Sequence, residues 1–228
     1  MSSFLKTIAS YVPDQIIEQL SVSAEPPVEP QQTRFPAAVL FADISGFTAL
    51  GERLAGQGVE GAESLTQALN DYFGQVVALV TALGGDVVKF AGDALLALWP
   101  ALHEQGAATP GEALALATAR AAQCGMALQT TAQGESLGGE ISLTLKIGIG
   151  AGEVLGMHLG GVYRRWEYLV AGEPILQASG AEDHAAPGQV VLARAAWELV
   201  APFCAGTPRS PAAVRLDDVL SPVPMRPG

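Results

Sequence analysis

The chain has 228 residues, 49% hydrophobic and 15% charged, with 12 Lys and Arg against 23 Asp and Glu for a formal charge of −11. So apolar a composition excludes a chain that stays unfolded. So acidic a one argues against nonspecific binding to nucleic acid or to an anionic membrane surface, and an anionic ligand would have to be drawn in by metal ions and a few well-placed basic groups.

The opening residues MSSFLKTIAS lack the apolar core of a signal peptide. No stretch approaches the roughly 18 apolar residues that cross a bilayer, so the chain reads as soluble and cytoplasmic. Cys124 and Cys204 fit no metal spacing and read as reduced core thiols. Ile8, Val12, Ile16 and Leu20 recur at helical spacing and mark a short N-terminal helical element, followed by a Pro- and Glu-rich linker. We therefore divide the chain into an N-terminal element and linker over 1–33, a main domain over 34–205, and a Pro-rich tail over 206–228.

Residues 36–43 (PAAVLFAD) form a nearly continuous apolar run, the pattern of a strand buried on both faces. Leu65, Leu69, Phe73, Val76 and Val80 predict a long amphipathic helix over 62–83, stopped by Gly84-Gly85. Two short strand-like runs, 86–91 and 94–99, flank Gly92-Asp93 and predict a hairpin. A second long helix is expected over 111–130 and a strand over 142–151. A further hairpin is expected from 153–159 and 163–171, then a helix over 173–184 with Pro174 in its first turn. A strand over 188–192, a helix over 193–200 and an edge strand over 213–216 complete the pattern. The order β α β β α β, with strands and a helix appended, is that of an α+β, ferredoxin-like sandwich with its helices on one face of a mainly antiparallel sheet.

Two aspartates at strand-end turns carry the chemistry: Asp43 in FADISGFT and Asp93 in KFAGDALLALW. In a βαββ unit the first strand lies beside the hairpin, so both turns meet at one end of the sheet. Two carboxylates brought together there repel unless a cation sits between them. Hard divalent ions such as Mg²⁺ take oxygen ligands and bridge carboxylates to phosphates. Gly46, Phe47 and Thr48 open a helix, whose N-terminal amides suit a phosphate group. Either aspartate alone reads as an ordinary turn residue; the flanking sequence is what singles out the pair.

FADISGFT and FAGDALLALW resemble the class III adenylyl and guanylyl cyclases, and the similarity extends over most of residues 35–199. It is strongest toward the first catalytic domain of the soluble, bicarbonate-responsive adenylyl cyclases and their bacterial relatives. LKIGIGAG, YLVAGEPILQA and the N-terminal IASYVPDQII add to it. The resemblance implies a cyclase homology domain that converts ATP to cyclic AMP and pyrophosphate. It implies that Asp43, Asp93 and the carbonyl of Ile44 hold two Mg²⁺ ions, with Mn²⁺ or Ca²⁺ as alternatives. Gly46, Phe47, Thr48 and Lys146 would meet the triphosphate. Lys89 and Val170 would line a second, degenerate pocket that binds bicarbonate.

The pattern also departs from the family. Complementary cyclase domains carry an Asp that reads adenine, then an Asn and an Arg four residues later. Aligned on Gly172, those positions fall on Leu169, Leu176 and Gly180, which can do none of these jobs. An Arg paired with the Lys at position 89 would fall on Ser179, with Arg164 and Arg165 nearby in sequence. The resemblance thus implies the metal-bearing half of an adenylyl cyclase, active once paired with a complementary domain in the same parent polypeptide or in a separate chain. The hairpin around 89–94 and the strand pair near 163–171 would face that partner. The alternative is a regulatory or scaffold domain that binds metal, nucleotide or a partner without turnover. His103, His158 and His184 match no role.

Overall fold

The structure is a computed structural model that describes residues 16–17, 29–45, 59–104, 106–134, 136–137, 141–142 and 144–225. The expected N-terminal helical element, apart from the helical Ile16 and Ile17, lies outside the described residues, as do Gly46, Phe47 and Thr48.

Strand β1 (Gln31–Ser45) is followed by helix α1 (Val59–Ala82), then by the hairpin of β2 (Asp86–Ala91) and β3 (Ala94–Pro100). Helix α2 (Pro110–Gly134) leads through a two-stranded ribbon, β4 (Ser136–Leu137) and β5 (Ile141–Ser142), into the long strand β6 (Thr144–Gly160). After β7 (Trp166–Ala171) come α3 (Glu173–Asp183), β8 (Gln189–Ala193), α4 (Arg194–Val200), β9 (Cys204–Ser210) and β10 (Ala213–Val219). The main sheet runs β2-β3-β1-β6-β8-β10-β9, with β7 pairing on β6. Its first four strands keep the order of the ferredoxin-like unit, and β8 runs parallel to β6 while the other pairings are antiparallel.

Alternation along β1 separates two cores. Ala38, Leu40, Ala42 and Ile44 face a large cluster that includes Tyr72 and Val80 of α1, Ala117, Ala121 and Leu128 of α2, and Ala196 and Val200 of α4. Phe35, Ala37 and Val39 face the opposite side and pack with Leu98, Val154 and Ala178 of α3. The expectation that the helices share one face is therefore corrected. A strand apolar on both sides needs a cover on both, and α3 supplies the second.

Three local differences from the sequence expectations have physical causes. Most of the segments 142–151 and 153–159 forms one 17-residue strand, Thr144–Gly160, because Gly152 takes φ 147° and keeps the pairing with Ala37. β1 is longer than the expected 36–43, since Gln31 to Pro36 pair with the far half of β6 and not with β3. Strand 213–216 is not at the edge. It extends to Val219 and lies between β8 and β9, a strand the sequence did not reveal.

Candidate active site

Three strands place the site. Asp43 lies near the end of β1 and is flanked in register by Ala94 of β3 on one side and Lys146 of β6 on the other. Ala94 follows Asp93, which occupies the second position of the two-residue turn between β2 and β3. Gly92, the first position, takes φ 66°, the left-handed conformation such a turn needs. The expected meeting of the two acids at one sheet end is thus what the register produces.

Their electrostatics agree. Burial, then the negative charges of Asp93 and Glu182, hold the Asp43 carboxyl above the usual carboxylate range. Lys146 and the backbone N–H of Ile44 pull it the other way without prevailing. An acid raised in the folded state stabilises the chain below its unfolded pKa, and that contribution is lost as pH rises through the folded value. Above that value the metal-free chain carries an uncompensated charge at Asp43. Asp43→Asn is expected to raise the melting temperature of the chain near neutral pH in chelator and to leave it almost unchanged near pH 3. The gain should stay below about 1 kcal/mol, because the partly solvated group is screened; thermal denaturation at the two pH values checks it.

Lys146 projects from β6 on the same face as Asp43 and gives a hydrogen bond to Glu182 Oε1 of α3 at 2.6 Å. That bond is the leading cause of its raised pKa, with burial opposing. Glu182 is buried, and the sequence reading missed it. A signal was present: Pro174, Ala178 and Ala181 form the buried stripe of α3, and Glu182 sits on that stripe as a charge among small apolar residues. Two glycines bring the helix this close. A Cβ on Gly148 would stand 1.9 Å from the Ala178 carbonyl oxygen, and one on Gly150 would stand 2.1 Å from that of Pro174.

The second group of expected residues lies on β2 and β7. Lys89 is exposed and lies 3.7 Å from Glu167 Oε1. Val170 packs on the second-face cluster beside Phe41 and Leu96. The His158 ring lies 5.0 Å from that of Tyr168 at a 45° tilt, and burial lowers its pKa. Cys124 and Cys204 are buried free thiols, pushed up to about 12 and about 11 by desolvation.

Among the described residues no group of three or more His, Cys, Asp or Glu side chains stands ready to hold a metal. The donor set that is present nonetheless fits a hard divalent cation: two carboxylates at one sheet end, one of them held above its normal pKa by burial and by the other's charge.

The model of the adenylate and guanylate cyclase catalytic domain matches residues 29–215, which include every element from β1 to β8 and the acid pair. The chain belongs to this cyclase family. It is 30% identical over 194 residues to adenylate cyclase type 10 of Rattus norvegicus and also to that of Homo sapiens, an alignment covering 84% of the chain. The chain spans only 11% of the length of these relatives. An uncharacterized protein of Mycobacterium tuberculosis is 34% identical over 143 residues, 63% of this chain and 23% of its own length. Among solved structures, the adenylyl cyclase CyaB of P. aeruginosa matches with a TM-score of 0.64 at 22% identity, over 82% of this chain and 96% of that one. A guanylyl cyclase domain from Blastocladiella emersonii matches with a TM-score of 0.65 at 17% identity, over 83% and 97%. These two likenesses carry the cyclase fold.

Proposed function

We propose that the chain is the metal-bearing half of an adenylyl cyclase, converting ATP to 3′,5′-cyclic AMP and pyrophosphate when paired with a complementary cyclase domain. The observation that carries this is the acid pair: Asp43 near the end of β1 and Asp93 in the adjoining β2–β3 turn, brought to one sheet end, with Asp43 raised in pKa by burial and then by Asp93. A scaffold has no physical need for two such acids, whose repulsion destabilises the chain unless a cation relieves it.

Asp43, Asp93 and the carbonyl of Ile44 would hold two divalent ions, Mg²⁺ or Mn²⁺. Bound there, the ions would lower the pKa of the ribose 3′-hydroxyl and neutralise the triphosphate. Lys146 keeps N–H donors beyond the one given to Glu182, and these would meet a phosphate oxygen. Gly46, Phe47 and Thr48 would supply backbone amides to the terminal phosphates. The chain lacks an Arg or Asn at Gly180 and Leu176, so the charge that develops on the transferred phosphorus must be met by the partner. ATP over GTP follows from the likeness to adenylate cyclase type 10.

The test is cyclic AMP production with Mn²⁺ or Mg²⁺ by this chain alone and mixed with a complementary cyclase domain. Activity is expected only in the mixture, with a loss on the order of 10³-fold for Asp93→Ala. Robust activity of the chain alone would overturn the half-enzyme reading. Varying bicarbonate at fixed pH in the same mixture tests Lys89 and Val170 as an anion site, and a flat response counts against it.

A further inference from the structure

Asp43, Asp93 and Glu182 share the sheet end with the Lys146 ammonium, on which Asp183 also acts. Asp43 and Lys146 are direct cross-strand partners on one face of the sheet, a placement that ordinarily draws opposite charges into a pair. They do not pair here. Among the described residues Lys146 makes its ion pair with Glu182, with the lysine side chain 25% and the glutamate side chain 10% exposed.

This choice is built into the fold. Glu182 is set on a helix that Gly148 and Gly150 admit to backbone contact with β6, and Gly148 would meet the Glu182 backbone N–H at 2.5 Å if it carried a Cβ. Helix and strand are further tied by the Ala151 N–H, which donates to Gln177 Oε1 at 3.2 Å. Glu182 therefore has little freedom to leave, and its short, largely desolvated bond outcompetes a partly solvated one to Asp43.

We propose that Glu182 is a positioning residue that holds Lys146 away from Asp43 and so keeps that carboxylate available for a divalent cation. This rests on the proposed function. Without Glu182 the ammonium keeps Asp43 and Asp183 within its electrostatic reach, and a salt bridge to Asp43, its direct cross-strand neighbour, competes with metal. The lysine thus stays close enough to meet a phosphate while remaining off the metal ligands.

The experiment is Mn²⁺ titration of the 228-residue chain without nucleotide, read by electron paramagnetic resonance of the free ion. The parent, Glu182→Gln, Lys146→Met and the double variant are compared, each first checked by thermal denaturation. Removing a nearby negative charge weakens any cation site, so the single Glu182→Gln variant does not decide the matter. The expected result is coupling: Lys146→Met tightens Mn²⁺ binding about twofold in the parent and on the order of tenfold in the Glu182→Gln background. Equal factors in the two backgrounds would overturn the proposal and leave the acid pair intact as a metal site. Parent binding that is unmoved by Asp93→Ala would overturn the metal-site reading itself. Glu182→Asp supplies a rescue arm, since a shorter carboxylate still engages Lys146 and should return the twofold value. If Glu182→Gln proves unstable, Glu182→Met carries the same cycle.

Discussion

A chain carrying Leu169→Asp, Leu176→Asn and Gly180→Arg together is expected to make cyclic AMP without a partner, at a rate on the order of 10³-fold above the unaltered chain. The structure favours acceptance of the changes on α3. Leu176 is 69% exposed, and a Cβ on Gly180 meets nothing within 4 Å. The two positions are one helical turn apart on one face, so an Asn and an Arg there point the same way. Gly180→Arg should also add about 1 kcal/mol of helix stability, since glycine is a poor helix former. Leu169 on β7 is half-buried, and an Asp there removes some of that gain. Two copies would then each offer a metal-bearing side to the other's restored side. Rates rising with the square of chain concentration would identify that dimer. No gain from a well-folded triple variant would mean that something other than these groups keeps the chain silent.

Gly148→Ala is expected to destabilise the chain by about 3 kcal/mol or more, a fall in melting temperature of roughly 6–12 °C for a domain of this size. The added methyl would stand 1.9 Å from the Ala178 carbonyl oxygen and 2.5 Å from the Glu182 backbone nitrogen. Both obstacles are backbone, so no side-chain rotation relieves them and α3 must lift from the sheet. Lifting α3 uncovers Ala37, Val39 and Ala178 of the second core and draws Glu182 from Lys146. Gly74→Ala is the control. It lies in α1, where a Cβ has nothing within 4 Å, and it should stabilise slightly. Equal melting temperatures for the two variants would mean that α3 is not seated on β6 as described.

Much of the site was legible because it is local. Asp43 and Asp93 sit in turn sequences that a reader can find, and Gly92 announces the tight hairpin that carries the second acid. Glu182 was not legible in the same way. Its role depends on meeting Lys146 across 36 residues of chain, through a helix–strand approach that two glycines permit. β9 escaped because CAGTPRS lacks the apolar alternation of a strand, and Pro208 is tolerated there only because β9 lies at the sheet edge.

The sequence by itself determined the order of the ferredoxin-like core elements and the two acids, since periodicity and turn chemistry act between near neighbours. The doubly apolar run 36–43 even required a cover on both faces, although nothing local said which helix would supply the second. Tertiary structure alone decided that α3 does so. It decided, too, that Lys146 pairs with Glu182 and not with its cross-strand neighbour Asp43. Such choices turn on the distance between elements, which the packing of backbone against backbone sets and no spacing along the chain records.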